Sequence, residues 1–291
     1  MKLYLLITYC LLSGSSLLAQ ADTTTAPADS TPVKNTFTVG LVYCNNASYY
    51  GQKGLEKNPY AAVAASWRFT SGFYLTGLAY RLLNDSSAAV SAESLGAGYS
   101  FKMSKHLSAD ISYSHTFYPA YSPFIQAANP DNATASLTYE NWLSTKVNVD
   151  YAFGKTQDYF VTAGTGKQIN LGSISPKDII TLTPELSVTA GTQRFYQTYV
   201  TELRKRDSVL GVPLPPLLGG SSSGSSGSSS TKTTSTTQFN LLSYTLKCPL
   251  AYNRSRYVVE LAAQFSLLSN KVQNSAGKVN SFLTASFYYQ F

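Results

Sequence analysis

The chain has 291 residues, of which 44% are hydrophobic, 13% aromatic and only 13% charged. Soluble domains carry about 25% charged residues, so this composition argues against an ordinary soluble enzyme. The hydrophobic content argues against global disorder. After the first twenty residues, no stretch approaches the roughly 18 consecutive apolar residues that predict a membrane helix. The composition therefore favours a β-structure with lipid as its second solvent.

The amino terminus is typical of a secretory signal peptide. Met1-Lys2 is a short positive start, residues 3–12 are apolar, and Ala19-Gln20-Ala21 has the small-x-small pattern of a cleavage site. We predict a signal peptide over residues 1–21, and its removal takes one lysine from the formal net charge of +7. Residues 22–35 are rich in Thr, Pro and Ala and predict a disordered periplasmic leader. A barrel domain is expected over 36–291.

Metal and redox chemistry have little support in the sequence. Two cysteines remain after cleavage, Cys44 and Cys248, on predicted strands that are not neighbours, so we expect both thiols to be free. There is no CxxC spacing, and the chain has only two histidines, His106 and His115. We therefore predict no metal site and no other cofactor.

From Thr36 onward, apolar and polar residues alternate in segments that are broken by turn residues. The segment 106–118 shows this best, because Leu107, Ile111, Tyr113 and Phe117 alternate with serine, aspartate and threonine. Such a strand has one apolar face and one polar face. The pattern predicts twelve strands, near residues 36–44, 58–70, 73–82, 93–102, 106–118, 143–153, 157–169, 179–190, 193–203, 238–250, 257–268 and 279–291.

The connections between these predicted strands alternate in length. Short ones are expected at 71–72, 103–105, 154–156, 191–192 and 251–256, and long ones at 45–57, 83–92, 119–142, 170–178, 204–237 and 269–278. An even strand number with short turns at one end and long loops at the other is typical of an outer-membrane barrel. The sequence therefore predicts an all-β fold, a transmembrane antiparallel up-and-down β-barrel of about 12 strands, with both termini periplasmic.

Charged residues are predicted on the inward face of this barrel. Five are basic and four acidic: Arg68, Arg81, Lys102, Lys146 and Lys247, with Asp110, Asp150, Glu185 and Glu260. They predict a narrow polar pore with a mild anion preference. In the alternative interpretation the charges pair across the lumen and fill it, which gives a closed barrel.

The last segment, 281–291, ends the chain on an aromatic residue and alternates apolar positions before it. Leu283, Phe287, Tyr289 and Phe291 are typical of the terminal strand that barrel assembly machinery captures by edge pairing. Pro184 interrupts an otherwise regular strand and predicts a bulge or kink there, which in a functional interpretation would be a lateral opening.

Five stretches resemble uncharacterised outer-membrane β-barrel proteins of Bacteroidota. They are TFTVGLVYCNNASYYGQ (36–52), SGFYLTGLAY (71–80), LTPELSVTAGTQRFYQTYVTE (182–202), FNLLSYTLKCPLAYNR (239–254) and SFLTASFYYQF (281–291). The similarity runs along most of the mature chain, without the Ser-rich insert. It implies a membrane location and a barrel fold, and it brings no catalytic motif and no substrate.

The sequence predicts a narrow passive channel for small solutes or a closed structural barrel, with no catalytic site. One alternative is adhesion through the extracellular loops, of which 204–237 is low in complexity. Its first residues Arg204, Lys205 and Arg206 are candidates for contact with lipopolysaccharide phosphates. Another alternative is a lipid-modifying enzyme that uses His115, although Ser112 and Ser114 point to the other face. Expected partners are outer-membrane lipid, lipopolysaccharide and the barrel assembly machinery, and not nucleic acid.

Overall fold

The structure is a computed structural model that describes residues 34–53, 57–84, 89–118, 129–155, 157–192, 239–270 and 278–291. Within these ranges no helix has the length and hydropathy that crossing a membrane requires. The strands, in chain order, are β1 (Thr36–Cys44), β2 (Ser48–Tyr49), β3 (Gln52–Lys53), β4 (Tyr60–Arg68), β5 (Phe73–Leu82), β6 (Ala92–Lys102), β7 (Leu107–Phe117), β8 (Asp131–Glu140), β9 (Ser144–Phe153), β10 (Gln157–Gly166), β11 (Ile169–Gly172), β12 (Asp178–Leu182), β13 (Glu185–Thr192), β14 (Phe239–Arg254), β15 (Tyr257–Leu268) and β16 (Val279–Gln290).

Twelve antiparallel positions close into a barrel. Neighbours in sequence pair from β4 to β10, and β1 closes the ring by pairing with both β4 and β16. Two of the twelve positions are each occupied by two successive strands. β10 and β11 occupy one, β12 and β13 occupy the next, and β14 follows them in the ring. β2 and β3 form a separate hairpin. Closure pairs the strands of the ring on both sides, except the short β11, which pairs with β12 alone.

The predicted number of strands is confirmed, but one of the twelve is a different strand. The segment 131–140, predicted to be part of a long loop, forms β8 between β7 and β9. Its apolar positions begin with Ala133 and Ala135, so its alternation is weak. The predicted turn at Gly191-Thr192 is wrong, because both residues extend β13 and pair with β14. The predicted strand 193–203 lies outside the described residues.

The two ends of the barrel differ in the length of their connections. At the short-turn end these are 69–72, 103–106, 141–143, 173–177 and 255–256, and Thr36 and Gln290 lie at this end too. At the long-loop end they are 45–59, 83–91, 118–130, 154–156, 193–238 and 269–278. The connections are therefore sorted by length between the two ends. The three-residue connection 154–156 is an exception, because it lies at the long-loop end. The connection 173–177 was expected to be a long loop but lies at the short-turn end.

Pro184 separates β12 from β13, as expected for a residue without a backbone donor. The predicted bulge is not there, because Leu182 pairs with Leu250 and Glu185 with Lys247, an equal step on both strands. Backbone bonds from Thr183 N to Pro249 O (3.0 Å) and from Lys167 N to Pro184 O (3.2 Å) bridge the site on both sides. The ladder is therefore continuous there. The register shifts of this region lie instead at Asn170/Gly172, between β11 and β12, and at Thr189/Ala190, between β13 and β14.

The inward face is shaped by aromatic residues that lie over glycines of the neighbouring strand. Tyr74 pairs with Gly98, and a Cβ built on Gly98 would lie 2.3 Å from Tyr74 Cζ. Because that side chain is missing, the Tyr74 ring crosses β6 and its hydroxyl donates to Asp110 Oδ1 of β7 at 2.8 Å. The pairs Gly40–Tyr288 and Gly191–Phe160 are built in the same way.

We expect Gly98→Ala to destabilise the barrel, because the new methyl group displaces the buried Tyr74 ring and breaks its bond to Asp110. Overpacking of this kind costs roughly 1–3 kcal/mol. Gly77→Ala is the matched control, since its Cβ would face outward with only Leu95 Cδ2 nearby, at 3.8 Å. Its effect should stay within about 0.5 kcal/mol. Urea unfolding in detergent micelles measures both, and equal losses would contradict this account of the Tyr74–Gly98 pair.

The interior divides into an apolar and a polar half. A buried cluster on β1, β4, β5, β6 and β16 contains Val42, Cys44, Tyr60, Ala62, Ala64, Leu78, Tyr80, Leu82, Ala92 and Tyr288. The inward positions of β7 to β10 and β13 to β15 are mostly Ser, Thr, Asn and charged residues, and many of them are buried. Cys44 and Cys248 are both free, as predicted.

Candidate functional site

The connection 45–59 carries a hairpin that folds into the lumen instead of into solvent. β2 and β3 are joined by Tyr50 and Gly51, which have positive φ angles of 47° and 83°. Two such residues in succession fit the type I′ turn that suits a two-residue hairpin. Ser48, Tyr50 and Gln52 are all buried, with 1%, 8% and 6% of their surface exposed. The segment therefore occupies space inside the ring near its long-loop end.

The tip of this hairpin is fixed to the barrel wall on β16, β14 and β10. Ser243 Oγ of β14 donates to the carbonyl oxygen of Tyr50 at 2.6 Å, and Asn280 Nδ2 of β16 donates to that of Gly51 at 2.9 Å. The Tyr50 ring stacks on Phe160 of β10 with 4.1 Å between centroids. The hairpin leaves from β1, which lies beside β16, whereas Phe160 on β10 lies five positions away around the ring of twelve. It therefore crosses the lumen and narrows it.

Asp150 of β9 is the polar centre below the hairpin tip. It is 1% exposed and accepts hydrogen bonds from Thr134 Oγ1 (2.8 Å) and Asn148 Nδ2 (2.6 Å), with Tyr50 Oη at 3.5 Å. Asn132 Nδ2 donates to Thr134 Oγ1 at 3.0 Å and extends the network along β8. Sequence reasoning found Asp150 but missed Asn132 and Thr134, because β8 was taken for a loop.

A second group of charges lies toward the short-turn end. The Arg68 guanidinium stands 4.6 Å from the centroid of the Tyr74 ring, whose hydroxyl donates to Asp110. Lys146 is close enough to Asp110, Asp150 and Glu185 to interact with them electrostatically. Glu185 and Lys247 are cross-strand partners of β13 and β14, and Lys247 also acts on Glu260. Opposite charges thus alternate around this part of the lumen.

Eight of the nine predicted lumen residues have inward-facing positions: Arg68, Lys102, Asp110, Lys146, Asp150, Glu185, Lys247 and Glu260. Arg81 is the exception, and its prediction is wrong. The inward residues of β5 are Tyr74, Leu78 and Tyr80, and Arg81 alternates with them and pairs with the exposed Ala61. Arg81 was placed inside because of its charge, but strand parity puts it outside.

Two inward carboxylates were missed by sequence reasoning, Asp158 of β10 and Glu140 of β8. Asp158 is 1% exposed and accepts bonds from Thr192 Oγ1 (2.6 Å) and Asn129 Nδ2 (3.0 Å). Across the strands that the structure describes, inward positions therefore carry four basic and six acidic residues. The predicted anion preference rested on an excess of basic groups, whereas these strands carry an excess of acidic groups.

His115 lies on the outward face near the long-loop end, as expected. Its Nδ1 is 2.7 Å from Asp131 Oδ1 of β8, and the Tyr113 hydroxyl donates to the same carboxylate. Ser112 and Ser114 face inward. Among its described outward neighbours on β6, β7 and β8 there is no Ser, Thr or Cys that a His–Asp pair would activate as a nucleophile. Within the described residues the arrangement is a polar contact between two strands.

The four residues of the predicted assembly segment lie at outward positions on β16 or at its end. Leu283, Phe287 and Phe291 are 58%, 40% and 72% exposed, and Phe291 N donates to the Phe37 carbonyl of β1. Recognition of this strand by assembly machinery stays a prediction. The signal peptide, most of the leader, the loop 204–237 and its Arg204, Lys205 and Arg206 lie outside the described residues.

No protein-family model matches the chain, and no curated protein matches it. Among solved structures it is similar to the KdgM porin, with a TM-score of 0.48, 10% identity, and 87% of this chain and 99% of that chain covered. It is also similar to an outer-membrane channel from Pseudomonas putida F1, with a TM-score of 0.41, 13% identity, and 92% of this chain and 100% of that chain covered. LpxR from Salmonella typhimurium has a TM-score of 0.39 and 8% identity, with 87% of this chain and 99% of that chain covered. With TM-scores below 0.5 and identities of 13% or less, these similarities assign no function to the chain.

Proposed function

We propose that this protein is an outer-membrane β-barrel that acts as a passive channel for small polar solutes, narrowed by the β2–β3 hairpin. The observation that carries the proposal is the docking of Tyr50 and Gly51 across the polar half of the lumen. The hairpin leaves β1 and its Tyr50 ring reaches Phe160 of β10, five positions away around the ring. The hairpin places a constriction where a solute from the long-loop end would enter.

The membrane location is supported by the outer face. Large apolar side chains there are exposed around the ring, for example Leu41 (54%), Leu95 (62%), Ile111 (53%) and Leu261 (59%). In water such a surface would cause aggregation, whereas in lipid it is the required surface. Following the usual arrangement of such barrels, we assign the long-loop end to the cell surface and the short-turn end, with both termini, to the periplasm. An origin in Bacteroidota remains part of this proposal.

The class of solute follows from the acceptors that line the polar half. Asn132 Oδ1, Asn148 Oδ1 and Gln52 Oε1 are buried and have no hydrogen-bond partner in the described part of the chain. They are closed to solvent in this arrangement, so a solute that donates hydrogen bonds, such as a polyhydroxylated or amine-bearing molecule, would satisfy them once the hairpin moves aside. With six inward carboxylates against four cations in the described strands, we infer a preference for neutral and cationic solutes.

Current recordings in a planar bilayer test the proposal. We expect discrete current steps from the purified protein, and in a potassium chloride gradient a reversal potential that shows preference for potassium. No current in repeated insertions would overturn the channel and leave a closed structural barrel. A chloride preference would overturn the assignment of solute class.

A further inference from the structure

Arg81 is a charged residue that does not line the proposed channel. It lies on the outward face of β5, one residue before the strand ends at the long-loop end. Its cross-strand partner is Ala61 of β4, which in turn pairs with Tyr43 of β1. No hydrogen bond or ion pair joins its guanidinium to another residue within the described ranges. An exposed cation thus faces outward at the rim of the barrel.

An apolar groove begins beside Arg81 and runs over the outer face of β5, β4, β1, β16 and β15. Its volume is about 660 Å³. The small residues Ala61, Ala79 and Ala285 form the depression, and Leu41, Val63 and Phe287 form its ridges. Val63 and Ala79 lie two pairs further from the long-loop end than Ala61 and Arg81. The groove therefore extends from the rim toward the middle of the outer face.

Arg81 and the groove are arranged in the same order as the two parts of a lipid molecule. A charged group lies at the rim of the barrel, where a headgroup would be, and an apolar surface lies below it, where an acyl chain would be. An arginine on the lipid face is costly at the bilayer centre but costs little near the interface, where headgroups lie. Neighbouring strands are about 4.8 Å apart, so Ala61 leaves a gap of roughly 10 Å between the strands of Tyr43 and Arg81. A phosphate fits such a gap, and guanidinium binds phosphate with two parallel hydrogen bonds.

We infer that this groove binds lipid A, the phosphorylated lipid of the outer leaflet, with a phosphate on Arg81 and an acyl chain over Ala61 and Ala79. The inference rests on the proposed membrane location and orientation, but not on an open lumen. Glu93 is the nearest outward carboxylate of known position, on β6 opposite Ala79. No ion pair joins Glu93 to Arg81 in the described residues, so the Ala61 side of the guanidinium is open to an anion.

Native mass spectrometry of the barrel in detergent tests the site, with diphosphoryl lipid A and its dephosphorylated form as probes. We expect the wild type to bind the diphosphoryl form roughly tenfold more tightly, as one charge-assisted hydrogen-bonded contact allows. Arg81→Gln should abolish that preference, and Lys155→Gln, in an exposed turn at the same end, should retain it. Ala61→Phe should weaken binding of both lipids, whereas Ala135→Phe on the outer face of β8 should not.

Several results would overturn the inference. One is unchanged lipid A binding by Arg81→Gln, and another is equal Arg81-dependent binding of phosphatidylglycerol, which would make the occupant a phospholipid. A wild-type dimer that Ala61→Phe dissociates, with lipid binding unaffected, would make the occupant a second copy. Unboiled-gel mobility confirms that each variant is folded. A barrel without channel current would still give the expected lipid result, so the two proposals fail separately.

Discussion

The double variant Ser243→Ala/Asn280→Ala should show frequent openings to a larger conductance level than the wild type. Both side chains donate hydrogen bonds to the backbone of the hairpin tip, at 2.6 and 2.9 Å. Each such bond contributes about 1 kcal/mol, so losing both should lower the ratio of docked to undocked hairpin roughly thirtyfold. Because the ring itself is closed by strand pairing, the barrel should remain folded. Single-channel recording measures the occupancy of each level.

The matched control is Thr245→Ala on the same strand. Thr245 Oγ1 lies 2.9 Å from Ser266 Oγ and makes no described hydrogen bond to the hairpin. Ser266 itself lies against Gly51, but Gln264 Nε2 also donates to its hydroxyl at 3.1 Å and still holds it in the variant. Its recordings should resemble those of the wild type. If the double variant shows only the wild-type level, the hairpin does not limit the current. If Thr245→Ala opens to the same extent, the effect comes from general loosening of the wall.

Asp150→Ala should be among the most destabilising single substitutions in the lumen. The carboxylate is buried and accepts from Thr134 and Asn148, and truncation leaves both donors without an acceptor. Unsatisfied buried groups cost about 1–3 kcal/mol each, so we expect a loss of roughly 2–4 kcal/mol in free energy of unfolding. Asp150→Asn keeps the shape and one acceptor oxygen and should lose about 1 kcal/mol. Urea titration in micelles distinguishes the two variants.

The same pair of variants separates charge from structure in the channel. Asp150→Asn should reduce the preference for potassium while leaving the conductance level close to that of the wild type. Glu93→Gln removes one negative charge from the outer face instead and should leave the reversal potential unchanged. An equal shift in both variants would mean that Asp150 does not face the permeation path.

Alternation was sufficient to predict the outward face, since Leu95, Ile111 and Leu261 lie outside as their spacing requires. It failed at 131–140, where two alanines at apolar positions and nearby prolines make a strand resemble a loop. The strand total was still correct, because a turn was placed at Gly191-Thr192 and added a strand there. Hydrophobic patterning therefore predicted the ring but not each of its members.

Charge was a poor guide at Arg81, because an arginine near a membrane interface satisfies the outer face as well as the inner one. The alternation of inward and outward residues along the paired strands β4 and β5 decides which face Arg81 is on. It can be applied only when the register of that pair is known. The docking of the hairpin could not be predicted either. Ser48, Tyr50 and Gln52 look like ordinary loop residues, and their burial depends on Ser243 and Asn280, roughly 200 residues away in the sequence.

The central claim, that one lumen runs through the barrel and the hairpin sets its width, is tested most directly by liposome swelling with neutral sugars of increasing size. The wild type is compared with a variant in which residues 48–53 are replaced by Gly-Gly. Ala47 N donates to Asn58 O at 2.9 Å, so the base of this loop is held without the excised part. We predict that the wild type passes only the smallest sugars and that the variant passes larger ones faster. The same size limit in both proteins, or no swelling in either, would contradict the claim.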